Sequence, residues 1–354
     1  MSYGSAAVGR GRGTQQGDAA VRREGTALLS RIAESLFWLG RYVERADDTA
    51  RVLDAVMHRL LDDPGTDEEA ACRTLFAVLG VPVPDSDEGG CDAQTVLSAL
   101  GFDAGNPSSV AGAWQAAHDN ARGVREVIST ESWECLNATR LALPAQRRQA
   151  RRVGPHAYLR YVRERAALFS GLADSTMSRD DGWLFLTLGQ SLERVDMTAR
   201  LLSVKVLASP YAPDWATLLR AAGADEPYRR TEGWDSDPQS AARFLVLEPL
   251  FPRSIMHALA TAERCLAELA GTLAAGSSSR RSGRSQTQVL VPSARRTIGR
   301  MRTVLEYLDA DTLVAQLPQV LKDLQEACLL ASRQIADRYF QYGTPVVWLR
   351  GRDS

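Results

Sequence analysis

A thirteen-residue stretch of this chain occurs twice, and the repetition governs what the polypeptide can fold into. Leu39-Gly40-Arg41-Tyr42-Val43-Glu44-Arg45-Ala46-Asp47-Asp48-Thr49-Ala50-Arg51 returns 149 positions later as Leu188-Gly189-Gln190-Ser191-Leu192-Glu193-Arg194-Val195-Asp196-Met197-Thr198-Ala199-Arg200. Each copy lies on an apolar seam of helical spacing. Ile32, Leu36, Leu39, Val43, Ala46, Ala50, Leu53, Met57 and Leu60 are alternately four and three apart, as are Phe185, Leu188, Leu192, Val195, Ala199, Leu202 and Val206. The spacing predicts a long helix from Leu28 to Leu61, ended by Pro64-Gly65, and a second one capped by Ser178 with Asp181 and stopped by Pro210. A heptad seam requires a partner, so two long helices of one chain are expected to pack on each other.

The repetition extends past these helices. Asn106-Pro107-Ser108-Ser109-Val110 opens a helix, with Asn106 as the expected N-cap, and Phe251-Pro252-Arg253-Ser254-Ile255 opens its counterpart 145 residues later. Short helices are expected at Thr74–Leu79, Ala93–Leu100, Trp215–Ala222 and Gln239–Leu247. Longer ones are expected at Pro155–Ala173, Gln288–Leu308 and Leu313–Phe340, and no period-two strand pattern extends over more than a few residues. The predicted fold is all-α: two related helical halves from an internal duplication, packed as one helical-bundle body. Residues 28–175 and 176–342 form the halves, between a disordered tail (1–27) and a C-terminal tail (343–354). The Ser- and Arg-rich run Gly276–Ser285 reads as a solvated loop.

Composition excludes several classes of function. A net charge of −1, with basic and acidic residues interspersed, leaves no phosphate track for nucleic acid. No run of 18 apolar residues exists to span a bilayer, and no apolar h-region marks a secretory leader, so a cytoplasmic location is expected. Five scattered cysteines without a Cys-x-x-Cys pair indicate neither a zinc ribbon nor a disulfide framework. Only Lys205 and Lys322 are lysines, which leaves little scope for amine-based covalent chemistry. There is no Gly-x-Ser-x-Gly, Walker A or zincin motif. Gly9-x-Gly11-x-Gly13 lacks the preceding strand a dinucleotide loop needs. Trp114, Trp133 and Trp183 read as core, and the four histidines as surface or satisfied core residues.

The candidate site is the polar stripe beside each seam. Gly40, Glu44, Asp47 and Arg51 share one helix face, as do Gly189, Glu193, Asp196 and Arg200, with Arg41, Arg45 and Arg194 adjoining. A glycine within a helix costs about 1 kcal/mol relative to alanine, and is tolerated where another backbone or a ligand comes close. Three readings fit the stripes. They could form an ion-pair network fixing the register of two antiparallel helices. They could line a pocket for a small polar or amino-acid-like ligand, with Arg51 and Arg200 as carboxylate forks. A carboxylate metal centre is the third; without a Glu-x-x-His motif, the oxygen ligands would suit only Mg²⁺ or Mn²⁺, and no cofactor is expected. Read as an enzyme, the stripes would use Glu44 and Glu193 as acid and base.

At these residues the chain resembles the bacterial alpha-E family. The resemblance rests on Leu29-Ser30-Arg31-Ile32-Ala33-Glu34-Ser35-Leu36-Phe37-Trp38-Leu39-Gly40-Arg41-Tyr42-Val43-Glu44-Arg45-Ala46. It also rests on Asn106-Pro107-Ser108-Ser109, Asn120-Ala121-Arg122, Glu131-Ser132-Trp133-Glu134-Cys135-Leu136-Asn137, Leu188-Gly189 with Leu192-Glu193-Arg194, and Phe251-Pro252-Arg253-Ser254. Members resemble companions or fused domains of atypical ATP-grasp ligases and occur beside transglutaminase-like peptidases. The resemblance therefore implies an accessory, substrate-binding or partner-binding role in a peptide (amide-bond) ligase system, with the ligase as partner and a peptide or amino-acid-like ligand. It carries over no catalytic residue. Gln190-Ser191 stand where the first copy has Arg41-Tyr42, so the two stripes are not chemically equivalent.

Overall fold

The two seams pack against each other along the axis of the molecule. The computed structural model describes residues 15–63, 65–84, 90–207, 213–234, 237–278 and 293–340. Helix α1 (Gln15–Asp62) and helix α7 (Asp181–Leu207) are the central pair. Leu36, Leu39, Val43, Ala46, Ala50 and Leu53 of the first seam are buried, as are Leu188, Leu192, Val195, Ala199 and Leu202 of the second. α1 begins at Gln15, so the helix takes in residues 15–27 of the expected tail. Their composition, with no proline between the two helical glycines Gly17 and Gly25, is compatible with that continuation. The expected stop at Pro210, the run Ser279–Ser285 and the tails 1–14 and 343–354 lie outside the described residues.

Around α1 and α7 the remaining helices are α2 (Glu68–Leu79), α3 (Ala93–Val96) running into a π turn at Leu97–Gly101, α4 (Val110–Arg122), α5 (Thr130–Val153), α6 (His156–Thr176), α8 (Trp215–Ala221), α9 (Asp225–Glu232), α10 (Pro238–Leu247), α11 (Ile255–Ser278), α12 (Ala294–Glu306) and α13 (Leu313–Tyr339). All the regular structure among the described residues is helical, and no helix there is long and apolar enough to cross a membrane.

The packing partners correspond. α4 and α6 flank α1, with α5 bridging α4 and α6; α11 and α13 flank α7, with α12 bridging α11 and α13. The short helices cross over: α2 packs on α7, and α8 packs on α1. Aspartates cap both, Asp67 accepting from the Ala70 N–H and Asp214 from the Thr217 N–H.

Several local expectations are corrected. The N-cap of α4 is Ser109, whose hydroxyl accepts from the Gly112 N–H, whereas Asn106 makes an Asx turn to the Ser108 N–H. Ser254 caps α11 in the same way, accepting from the His257 N–H, and each serine donates to a carbonyl six residues earlier, Asp103 or Glu248. Asp180, not Ser178, caps α7, accepting from the Gly182 and Trp183 N–H groups. Helices α5 and α9 have no counterpart among the expected elements; Arg147, Arg148, Arg151 and Arg152 dilute the apolar period of α5, and α9 is polar over most of its length. The five cysteines are buried free thiols. Burial pushes Cys72 and Cys328 up to about 12 and Cys265 up to about 11, which leaves them without thiolate character near neutrality.

Candidate functional site

Two glycines set the distance between the central helices. A Cβ on Gly40 would lie 2.2 Å from the Leu186 carbonyl oxygen and 3.1 Å from the Gln190 nitrogen. A Cβ on Gly189 would lie 2.0 Å from the Phe37 oxygen and 3.2 Å from the Arg41 nitrogen. The close approach that the sequence left open is therefore helix backbone against helix backbone. It also corrects the orientation: contacts advance in the same direction along both chains, so α1 and α7 run parallel, not antiparallel.

One turn beyond the glycines the glutamates and arginines interlock. Arg194 grips both oxygens of Glu44 at 2.7 Å through Nε and Nη2. Arg45 grips both oxygens of Glu193, at 2.5 Å through Nε and 3.1 Å through Nη2. Each Glu-Arg dipeptide thus gives its carboxylate to the other's guanidinium, in bidentate form. Each glutamate also has a further cation. Arg41 donates to Glu193 at 2.7 Å and to Ser332 Oγ at 3.0 Å, and Arg253 lies 3.1 Å from Glu44. Glu193 is fully buried and Glu44 is 3% exposed.

A turn further on, Asp47 accepts from Arg51 at 3.1 Å and Asp196 from Arg200 at 2.8 Å. The two arginines reach the helix ends that cross over: Arg200 Nη1 donates to the Val78 carbonyl at 3.3 Å, beside Gly80, and Arg51 Nη1 lies beside Gly223. Both glycines have a φ of +66°, the left-handed conformation of a helix C-terminus.

The candidate residues are therefore together, but as two clusters of unequal charge. In one, Arg253 bonds Asp47 and Asp48 as well as approaching Glu44. The loop carrying Arg253 is held by α7, where Arg194 donates to the Pro252 carbonyl at 3.2 Å and Thr198 to the Arg253 carbonyl at 3.3 Å. In the other cluster, Met197 stands at the position equivalent to Asp48 and Ser108 at that of Arg253. Sequence reasoning missed Arg253, Asp48 and Ser332. The signal for the first two was present, since the acid and its arginine are both exchanged between the two copies.

The electrostatics follow from burial set against pairing. Burial pushes Glu193 up, but Arg45 and Arg41 outweigh it and hold the carboxyl at about 2. Burial likewise opposes ionisation of Glu44, and Arg194 and Arg253 reverse it, so that group also lies below its ordinary value. Burial raises Asp48 to about 7; Arg253 acts against the rise, and Glu44 and Asp47 add to it. Burial and the neighbouring Arg253 pull the Arg51 guanidinium below its ordinary value. Asp47 Oδ1 and Asp48 Oδ2 are buried and accept no hydrogen bond from the protein.

Chemically, such an arrangement is suited to holding helices together. Both oxygens of each glutamate are engaged by guanidinium groups, which leaves neither carboxylate free to act as a general base. Glu44, Asp47 and Asp48 lie close enough to share a cation, but Arg253 already occupies the space between them.

The family model carries the same emphasis on Glu-Arg. Residues 28–340 match the alpha-E model, described as a predicted alpha-helical domain with a conserved ER motif. Uncharacterised proteins of Mycobacterium bovis and Mycobacterium tuberculosis are each 26% identical over 333 residues. That alignment takes in 87% of this chain and 36% of each relative, so the chain spans about a third of the length of the curated proteins it matches. No solved structure matches the chain. With Glu-Arg pairs at 44–45 and 193–194 locking its central helices, and a family match over nearly all the described residues, the chain belongs to the alpha-E family.

Proposed function

We propose that this protein is a non-catalytic helical component of an ATP-grasp peptide ligase system, and that the doubled Glu-Arg stripe is the lock on which its shape depends. The observation that carries this reading is the reciprocal exchange of Glu44 with Arg194 and Glu193 with Arg45, which engages both glutamates that the enzymatic reading would use. The family setting, in which members resemble companions or fused domains of ATP-grasp ligases, supports a partner role. The greater length of the mycobacterial relatives agrees with an alpha-E unit working beside further sequence.

An internal duplication explains the correspondences most simply. Contacts recur at an offset of 149 residues along the central helices and 145 at the serine caps. Asp48 and Arg253 are then later additions to one copy, or losses from the other.

The test is to purify the chain together with an ATP-grasp ligase from the same organism. Co-elution on size exclusion and an altered rate of ATP turnover are expected. Separate elution with unchanged turnover would overturn the partner role. A Glu193→Gln variant that melts like the wild type but abolishes a measured reaction would instead favour a catalytic stripe.

A further inference from the structure

On the outer face of α1, Asp54 and His58 lie one turn apart and meet His156 at the start of α6. His156 Nδ1 is 2.8 Å from Asp54 Oδ1, and His58 Nε2 is 3.7 Å from the same oxygen. The two imidazoles stack with centroids 3.9 Å apart and present one nitrogen each toward that carboxylate. A hydrogen bond accounts for His156 but not for His58, whose nitrogen is too far from the oxygen to share a proton. Two ligands about 2.05 Å from a tetrahedral ion lie about 3.3 Å apart, and the separations of 2.8 and 3.7 Å fall on either side of that value.

The surroundings fix the carboxylate and leave room for a further ligand. Arg163 donates to the other oxygen of Asp54 at 3.0 Å, fixing the carboxylate from outside as second-layer partners of metal ligands do. His156 Nε2 is buried with no protein partner, so the ring's one polar engagement is through Nδ1. The three groups border a cleft of about 700 Å³, whose other walls include Arg51, Arg160 and Glu164. Asp54 is 16% exposed in its side chain, His156 31% and His58 45%, which leaves the cluster reachable from solvent.

We propose that Asp54, His58 and His156 bind a divalent transition-metal ion of the Zn²⁺ class, with the remaining coordination position open to the cleft. Two imidazoles and one carboxylate suit Zn²⁺, Co²⁺, Ni²⁺ or Fe²⁺, and are too rich in nitrogen for Mg²⁺ or Ca²⁺. The site is separate from the Glu-Arg lock and does not depend on the ligase role.

Zn²⁺ titration by calorimetry and Co²⁺ titration by visible absorption, on the untagged full chain treated with chelator, test this. One equivalent of each ion is expected to bind, with Co²⁺ showing the d–d bands of a four- or five-coordinate ion. His58→Ala and His156→Ala should each weaken binding at least tenfold, with far-UV circular dichroism unchanged. His58→Ala lies on an exposed helix face and keeps the test valid if His156→Ala misfolds. No saturable binding to the wild type would overturn the proposal. So would equal affinity in the folded His58→Ala variant.

Discussion

Glu44 and Glu193 lie on neighbouring parallel helices, and each is held in a bidentate grip by the arginine that follows the other in sequence. The exchange couples the two halves at the place where their backbones come closest. It also makes the energetic role of each charge directly measurable.

Removing one member leaves its partners buried and unpaired. Glu193→Gln strands Arg41 and Arg45, and a loss of about 3–5 kcal/mol in unfolding free energy is expected, the range for breaking a buried ion pair. Urea denaturation at pH 7 measures it. A change below 1 kcal/mol would mean that the pairs are not stabilising in solution.

The same glutamate governs acid stability. Its folded-state value of about 2 lies below the ordinary 4.5, so its contribution is present above pH 4.5 and is lost as pH falls toward 2. The shift corresponds to about 3 kcal/mol, at 1.36 kcal/mol per unit. The wild type should therefore lose more stability than Glu193→Gln between pH 5 and 3, as read from melting curves of both proteins.

Asp48 has the opposite sign. Its folded-state value of about 7 lies above 3.8, so the folded protein holds a proton that the unfolded chain releases, and stability falls as pH rises from 3.8 to 7. Asp48→Asn removes that dependence. Its melting temperature relative to wild type should rise between pH 4 and 8, and a difference that stays flat would show that Asp48 is ionised throughout.

Arg253 and Asp48 should behave as a coupled pair. Arg253→Ser leaves three acids without their shared cation, whereas Asp48→Met with Arg253→Ser recreates the residues of the other copy. The double variant is expected to be less destabilised than the two single effects summed, by about 1–3 kcal/mol in a double-mutant cycle. Additive effects would contradict the geometry.

Alanine at Gly40 or Gly189 would drive a methyl group into a carbonyl of the opposite helix. Despite the better helix propensity of alanine, each is expected to cost about 2 kcal/mol or more, since the backbones must separate. The two should be less than additive, because one methyl already opens the contact for the other. Two independent losses in chemical denaturation would argue against a shared contact.

The central helices were legible from the chain because the seam and the stripe carry their own periods. Glu44 and Glu193 could be named from spacing alone. Their partners could not be assigned that way: Glu44–Arg194 and Glu193–Arg45 depend on how two distant helices are set side by side, which no local spacing reveals. Arg253 lay in a motif that read as a helix start, since nothing local reveals that its guanidinium reaches back to α1. His58 and His156, 98 positions apart, likewise had no local pattern to connect them. Helix α5 was obscured for a different reason, because its arginines interrupt the apolar rhythm.

The crossing of α2 onto α7 and of α8 onto α1 has a consequence for biosynthesis. When a ribosome has completed only the first 180 residues, α1 lacks both its central neighbour and its covering helix, and a broad apolar strip stays in contact with water. Covering that strip must therefore wait for the downstream sequence to emerge, and two fragments from a gene cut at the midpoint are expected to be more stable together than apart.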